Sequence, residues 1–223
     1  MKIPKKYHGL LESKDIAFIG LSLGKQEFIN KKVMEGYIDF LTKDFNKSFL
    51  LIADLPKRHN ILALENVKEE EALQRVTIAS KDMRRFLEKL SSKYSNIQII
   101  DWTDSSDSNY HHNLNILKRE YNNNLEFQEE CNNIVRKFIS IPSNINKLEV
   151  IGSNIKQGVK ISSNYLLEEL SMLLSLPLKL GVNVCEIYPG KNEVQEKLQN
   201  NEYDFCSELK KNPKRTFMEV YHE

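Results

Sequence analysis

A serine sits in the pentapeptide Gly20-Leu21-Ser22-Leu23-Gly24, directly behind the apolar run Ile16-Ala17-Phe18-Ile19. At the end of a buried strand, such a serine is a hydrolase nucleophile, part of a phosphate-cradling loop, a nucleophile of another kind, or an ordinary turn residue. GxSxG at a strand-to-helix turn is the nucleophile elbow, which exposes the hydroxyl beside backbone donors. That fold places several strands ahead of the elbow, whereas only about 15 residues precede this one. The histidines (His8, His59, His111, His112, His222) supply charge-relay partners poorly. Glu219-Val220-Tyr221-His222 mimics an acid–histidine pair, but in a terminal segment prone to fraying. Neither GxGxxG nor GxxxxGK[ST] is present, because Gly24-Lys25 is followed by Gln26.

Two further stretches carry groups able to do chemistry. In SSNYLLEELSMLLSLP (162–177), Tyr165 and Glu169 stand at i and i+4, so a phenol and a carboxylate share one helix face. A half-buried Glu beside a Tyr has a reason for a tuned pKa, as general acid–base work requires. Glu168 is the solvated alternative, and an exposed Glu with a core-edge Tyr is the plainer reading of the spacing alone. Ser162, Ser163 or Asn164 is the expected cap of this helix, with Pro177 just past its end. In CEIYPG (185–190), alternation puts Val184, Glu186 and Tyr188 on one strand face, with Tyr188 at the mouth. A lone tyrosine before Pro-Gly also serves as a plain structural plug.

The elements that must position these groups read as alternating strands and helices. Short apolar runs at 16–23, 48–54, 97–101, 148–152 and 181–188 predict buried strands. Stretches at 28–45, 68–92, 114–140 and 164–176 carry helical spacing. This order implies an α/β fold, a parallel sheet covered by helices on both faces, with ligands at the carboxyl ends of the strands. Ser22 and Asp54 fall just past such ends. DSSDSNYHHN (104–113) is expected to be a surface loop, with His111 and His112 solvated rather than metal-binding. The Asn-rich pieces at 122–124 and 132–133 look compositional.

With 223 residues, 40% hydrophobic, the chain suits one domain with a sizeable core. The net charge of +1 excludes a global attraction to polyanions and requires any such partner to meet a local basic patch. Cys131, Cys185 and Cys206 lack CxxC spacing, which argues against a disulfide framework or a zinc site and fits a reducing cytosol. No targeting or membrane-spanning stretch is visible, so the expected location is the cytoplasm.

Taken together, the motifs resemble those of the tRNA-dependent cyclodipeptide synthases. They are Gly-x-Ser at Gly20 and Ser22, a strand ending Ile52-Ala53-Asp54 followed by Arg58-His59-Asn60, Tyr-x-x-x-Glu at Tyr165 and Glu169, and Tyr188-Pro189. The resemblance spans roughly residues 14 to 205, in order and spacing. Lys25 and Pro189 replace the Asn and Gln of one branch, so the chain looks like the Tyr-Pro branch. The resemblance implies a Rossmann-like domain similar to the catalytic domain of class I tyrosyl- and tryptophanyl-tRNA synthetases, without ATP or metal. HIGH and KMSKS signatures are absent from this sequence.

The implied chemistry is covalent and of the ping-pong kind. Ser22 attacks the ester of an aminoacyl-tRNA, and Gly20 allows close approach to the backbone. Tyr165 and Glu169 hold the α-ammonium of the first residue. A second aminoacyl-tRNA supplies the amine for a dipeptidyl-enzyme, and cyclisation expels Ser22 with Tyr188 positioning a proton. Phe18, Met172 and Glu186 are expected to line the first aminoacyl pocket, with core packing an equal reading for Phe18 and Met172. Only loop architecture is expected of Asp54, Arg58, His59 and Asn60. Lys81, Arg85 and Lys89, four apart, with Arg84 beside them, form a basic stripe for tRNA, or else a solvated face. Glu69, Glu70 and Glu71 suit the start of that helix. A monomer is expected. A serine esterase and a non-catalytic tRNA- or nucleotide-binding domain remain as readings from other classes.

Overall fold

The computed structural model describes residues 15–181, 183–188 and 192–219. In chain order the elements are β1 (Ile16–Ser22), α1 (Gln26–Ile29), α2 (Lys31–Asp44), β2 (Lys47–Ala53), α3 (Lys57–Leu64), α4 (Glu69–Ser91), β3 (Ile97–Asp101), α5 (Trp102–Ser105), α6 (Ser108–Asn123) and α7 (Leu125–Ile139). Then follow α8 (Pro142–Val150), α9 (Ile155–Leu180), β4 (Val184–Tyr188), α10 (Glu193–Asn200), a 3₁₀ turn (Asp204–Glu208) and β5 (Thr216–Glu219).

The five strands form one sheet in the order β3-β2-β1-β4-β5, and every neighbouring pair is parallel. A sheet buried on both faces needs strands that are apolar throughout, which is why β1 and β2 read as continuous hydrophobic runs. Alternation splits β1 between two cores. Ala17, Ile19 and Leu21 pack with Met34, Tyr37, Ile38 and Leu41 of α2. Phe18 faces the other way, in the core that contains Leu166, Leu170, Leu173 and Leu174 of α9. Each of the fully buried Ile, Leu, Met and Phe side chains contributes about 1.5–3 kcal/mol. Gly20 and Ser22 share the Phe18 face by the same alternation. From β1 the chain builds outward to β2 and β3, then returns to β4 on the opposite side. The strand order therefore reverses between β1 and β4, and a crevice opens there at the carboxyl ends.

Several expected boundaries differ. The run at 148–152 is the end of helix α8 rather than a strand. Pro142 starts that helix, and Asn144 and Leu148, one turn apart, are buried while Val150 is 85% exposed. In the stretch at 104–113 only Ser106 and Asp107 lie outside helices, because Asp104 and Ser105 close α5 and Asp107 caps the next helix. That side chain accepts from the Tyr110 N–H at 2.9 Å and starts α6, which buries Asn113 and Leu114. The expected helix at 114–140 is two helices, divided at Asn124, which caps α7 by accepting from the Phe127 N–H. The expected helix at 28–45 likewise divides at Asn30, whose side chain accepts from the Val33 N–H. Edge strand β5, four residues long, has no counterpart among the apolar runs.

Helix α9 is longer than expected at both ends. Asn154, not Ser162, Ser163 or Asn164, caps it by accepting from the Gln157 N–H. Pro177 lies inside it, where a proline cannot donate to the carbonyl four residues back. That orphaned carbonyl, on Leu173, accepts instead from Arg215 Nη1. The three cysteines are free and buried. Among the described residues no helix is long and apolar enough to cross a membrane.

Candidate active site

Ser22 is the last residue of β1, and the backbone turns immediately beyond it. Gly24 makes that turn at φ +81°, a conformation that side-chain-bearing residues rarely adopt. The Ser22 hydroxyl lies 2.8 Å from Tyr165 Oη. One helical turn along α9, Glu169 Oε1 accepts from the Tyr165 hydroxyl at 3.4 Å. With the phenol proton directed at Glu169, Ser22 is the donor to Tyr165. A serine at a strand end, a phenol and a carboxylate thus form one hydrogen-bonded chain across the crevice.

The electrostatics give these groups different roles. Burial, with Glu186 adding negative charge, pushes the Glu169 carboxyl up to about 7, while the Tyr165 hydrogen bond and the Lys25 charge pull it back. Burial, then the Glu169 charge, hold the Tyr165 phenol well above 10. Burial and the charges of Glu169 and Glu186 raise Tyr188 as well. Both phenols therefore stay protonated at neutral pH and act as hydrogen-bonding groups, whereas Glu169 exchanges its proton there.

Ser22, Tyr165 and Glu169 line a cavity of about 400 Å³. Its other walls are apolar where α7 presents Ile134, Val135 and Phe138, and polar where α3 presents Lys57 and Asn60. Gly20 sits one strand step deeper on the Ser22 face, and nothing lies within 4 Å of where its Cβ would stand. Tyr188 ends β4 beside β1, with its ring 5.7 Å from that of Phe217. Pro189 lies outside the described residues.

The residues expected in the aminoacyl pocket are placed differently. Phe18 and Met172 are fully buried in the α9-side core, the packing reading of those positions. Glu186, opposite Phe18 in the register of β1 and β4, is also fully buried. It pairs with Arg215 and accepts from Gln195 Nε2 at 2.7 Å. None of the three is among the described residues lining the cavity.

Two expectations for neighbouring residues need correction. Glu168 is buried, not solvated. Arg58 grips its carboxylate with two hydrogen bonds, at 2.6 and 3.0 Å, and His59 Nε2 stands 2.9 Å away. Arg58, His59 and Asn60 belong to helix α3 rather than to a loop, and this cluster ties α3 to α9. Asn60, next to the cavity, accepts from the Ser162 hydroxyl. Lys57 and Asn60 escaped the sequence reading as cavity residues, although their i, i+3 spacing just past the carboxyl end of β2 was a usable signal.

The basic stripe lies on α4, with Lys81, Arg85 and Lys89 exposed. Arg85 is 3.5 Å from Asp82, and Arg84 is held by Asp101 at 2.6 Å. The esterase reading finds little support among the described residues. His59 meets Glu168, His112 meets the Glu208 carbonyl, and His111 packs on Tyr110. His8 and His222 lie outside the described residues. Ser22 lacks the strained positive φ of an elbow, since Asn201 is the one described non-glycine residue with positive φ.

The sequence profile of the cyclodipeptide synthases matches residues 5–214. No curated protein sequence matches the chain. Solved structures with the same fold include a cyclodipeptide synthase from Bacillus thermoamylovorans, at 19% identity and TM-score 0.77, covering 95% of this chain and 90% of that one. A synthase from Candidatus Glomeribacter gigasporarum bound to Phe-tRNAPhe has 23% identity and TM-score 0.67, covering 93% and 88%. A Mycobacterium tuberculosis protein, described as demonstrating that cyclodipeptide synthetases are related to type I tRNA synthetases, has 15% identity and TM-score 0.71, covering 96% and 88%. The profile match over nearly the whole length places this chain in the cyclodipeptide synthase family.

Proposed function

We propose that this protein joins the aminoacyl groups of two aminoacyl-tRNAs into a cyclic dipeptide through an aminoacyl-Ser22 intermediate. The observation that carries this is the hydrogen-bonded chain Ser22–Tyr165–Glu169, set at the sheet's crevice and open to a cavity. An aminoacyl-tRNA ester is already activated, so the reaction draws on no nucleotide and no metal. Ser22 Oγ bonds to the ester carbonyl carbon, the bond to the ribose oxygen breaks, and the serine proton ends on that oxygen. Tyr165 holds Ser22 in position and, with Glu169, meets the α-ammonium of the bound residue, a charge-assisted contact.

The second transfer needs a free amine, and atom balance corrects the expectation that the incoming aminoacyl-tRNA supplies it. Attack on the Ser22 ester by the amine of the incoming aminoacyl-tRNA would leave the dipeptide on tRNA. A dipeptidyl-enzyme instead requires the amine of the Ser22-bound residue to attack the second ester, releasing the second tRNA. A Glu169 carboxylate near neutrality is matched to take the proton from that ammonium, whose ordinary pKa is about 8. The amine of the second residue then attacks the Ser22 ester, closing the ring and returning a proton to Ser22. Tyr188, protonated and at the adjacent strand end, positions that exchange. Lys25 and Pro189 support a place in the Tyr-Pro branch, and the use of charged tRNA supports the cytoplasm as the place of work.

Mass spectrometry of culture medium from a host expressing the chain, beside a Ser22→Ala control, tests this reading. A diketopiperazine made by the parent and missing with the variant is expected. Soluble parent protein that neither releases a diketopiperazine nor gains an aminoacyl adduct from charged tRNA overturns it.

A further inference from the structure

Around α3 almost every charge has a counter-charge. Glu168 is taken by Arg58 and His59, and Glu65 by Arg75 and Lys147. Asp54 accepts from the Leu55 N–H and the Ser80 hydroxyl. At the cavity rim Lys25 lies 3.1 Å from Glu27. Lys57 is the exception: among the described residues its ammonium has no hydrogen bond and no ion pair. Yet it lines the cavity, and its Nζ stands 3.7 Å from where a Gly24 Cβ would be. Gly24 is two residues past Ser22, at most about 7 Å of chain.

A half-buried cation without a partner is costly and favours an anion. Burial and the nearby charge of Lys147 hold its pKa below the ordinary lysine value, against a smaller opposing pull from Glu65, whose carboxylate is bonded to Arg75 and Lys147 instead. The cavity lining combines apolar α7 side chains and the Glu169 carboxyl with two cations, Lys57 and Lys25, of which Lys25 is paired with Glu27. An esterified amino acid carries no carboxylate, and its ammonium is repelled by Lys57 and attracted by Glu169. The anionic groups of the substrate are its phosphodiesters, and the nearest lies a single ribose away from the ester.

We propose that Lys57 binds the last phosphodiester of the aminoacyl-tRNA, so that the terminal ribose is presented to Ser22 with its ester facing the nucleophile. This rests on the tRNA-dependent reading above and adds a contact to it. Lys57 is a positioning residue, since it touches the polynucleotide and not the reacting carbonyl.

Single-turnover acylation of Ser22 tests the assignment as a two-by-two cycle. One axis is Lys57 against Lys57→Met, with Lys57→Gln as a second neutral variant and Lys57→Arg as the conservative one. The other is native aminoacyl-tRNA against one whose last phosphodiester is an uncharged methylphosphonate. Each single change is expected to lower the acylation kcat/KM about tenfold, mostly through KM. The double change adds less than twofold more, and Lys57→Arg recovers most of the loss. Losses that multiply in the double change, or no loss from either change, overturn the assignment while leaving the Ser22 reading intact. Failure of the unsubstituted enzyme to acylate from native aminoacyl-tRNA overturns the underlying reading, a pattern distinct from the other two.

Discussion

The Tyr165 hydroxyl meets Ser22 Oγ at 2.8 Å although 143 positions separate them in the chain. Ser22 is fixed by the parallel pairing of β1 with β2, where it lies opposite Ala53. Tyr165 is fixed by α9, whose Leu166, Leu170, Leu173 and Leu174 pack into the core beneath that sheet face. The contact is thus set by the packing of one helix on one strand, and it does not depend on a flexible loop.

Removing the phenol oxygen alone should reveal what that contact does. Tyr165→Phe keeps the ring and loses both hydrogen bonds. Acylation of Ser22, followed by intact-protein mass spectrometry, is expected to slow roughly 10–100-fold, the equivalent of about 1.4–2.7 kcal/mol. Stability should change by only about 1 kcal/mol. An unchanged acylation rate would show that Tyr165 plays no part in positioning the nucleophile.

On the proposed mechanism Glu169 should give the reaction a pH dependence with a definite sign. Its carboxyl titrates at about 7 in the folded protein, above the ordinary value of 4.5. On the proposed route the carboxylate takes up a proton, so product formation should rise as pH passes through about 7, and Glu169→Gln should flatten and lower the profile. The stability effect runs the other way. The folded state binds this proton more tightly than the unfolded chain, so stability is full below the unfolded value and falls between about 4.5 and 7. Glu169→Gln should therefore be the more stable protein at pH 8, by ~1–3 kcal/mol, measured by denaturant unfolding at pH 5 and pH 8. Equal stability of the two proteins at pH 8 would contradict the raised carboxyl.

Much of this arrangement was legible in the sequence because it is local. Apolar runs mark β1 to β4, and the i, i+4 pair Tyr165 and Glu169 is visible as a spacing. What escaped was set by distant partners. Glu168 and Glu169 are adjacent on one helix, and only the position of α3 decides that Glu168 meets Arg58 and His59. Glu186 reads as a pocket wall by alternation until Arg215, near the far end of the chain, is folded onto it. Arg215 is drawn there in part by the Leu173 carbonyl that Pro177 leaves without a donor, a tertiary event that no periodicity reports. The run at 148–152 was mistaken for a strand because five residues are too few to separate the two periods.

Gly20 separates a role in substrate approach from a role in folding. A Cβ at this position meets nothing within 4 Å, so Gly20→Ala should fold with a thermal midpoint within a few degrees of the parent. The added methyl would occupy space on the Ser22 face of β1. Acylation is expected to fall at least tenfold, and an undiminished rate in the folded variant would remove Gly20 from the site.

The Glu168 cluster should behave as structure. Burial alone would raise this carboxyl, but hydrogen bonds from His59 and Arg58 hold it below its ordinary value. Its contribution is therefore present above the unfolded carboxylate pKa and lost as pH falls through the lower folded value. Glu168→Ala leaves His59 without this partner and Arg58 with Glu69 and the Leu55 carbonyl alone, and should cost about 1.5–3 kcal/mol at neutral pH. The parent–variant gap should shrink in acid. A gap that stays constant from pH 7 to pH 3 in urea titrations would show that the charge is not what holds α3 to α9.

The stripe on α4 should contribute to tRNA affinity through charge rather than shape. Lys81 and Lys89 are exposed, Arg85 is 3.5 Å from Asp82, and Arg84 is held by Asp101 at 2.6 Å. Lys81 and Lys89 are thus the better placed to meet phosphate, and Arg84 is the least available. Each phosphate contact adds about 0.7–0.9 to the slope of log affinity against log salt. Lys81→Gln with Lys89→Gln should lower that slope by about 1.5 and weaken binding at low salt, whereas Arg84→Gln should change the slope little. Filter binding of aminoacyl-tRNA to a Ser22→Ala background from 50 to 300 mM salt reads this directly. A slope unaltered by the double lysine change would move the landing surface off α4, while a large effect of Arg84→Gln alone would mean that its pairing with Asp101 opens on binding.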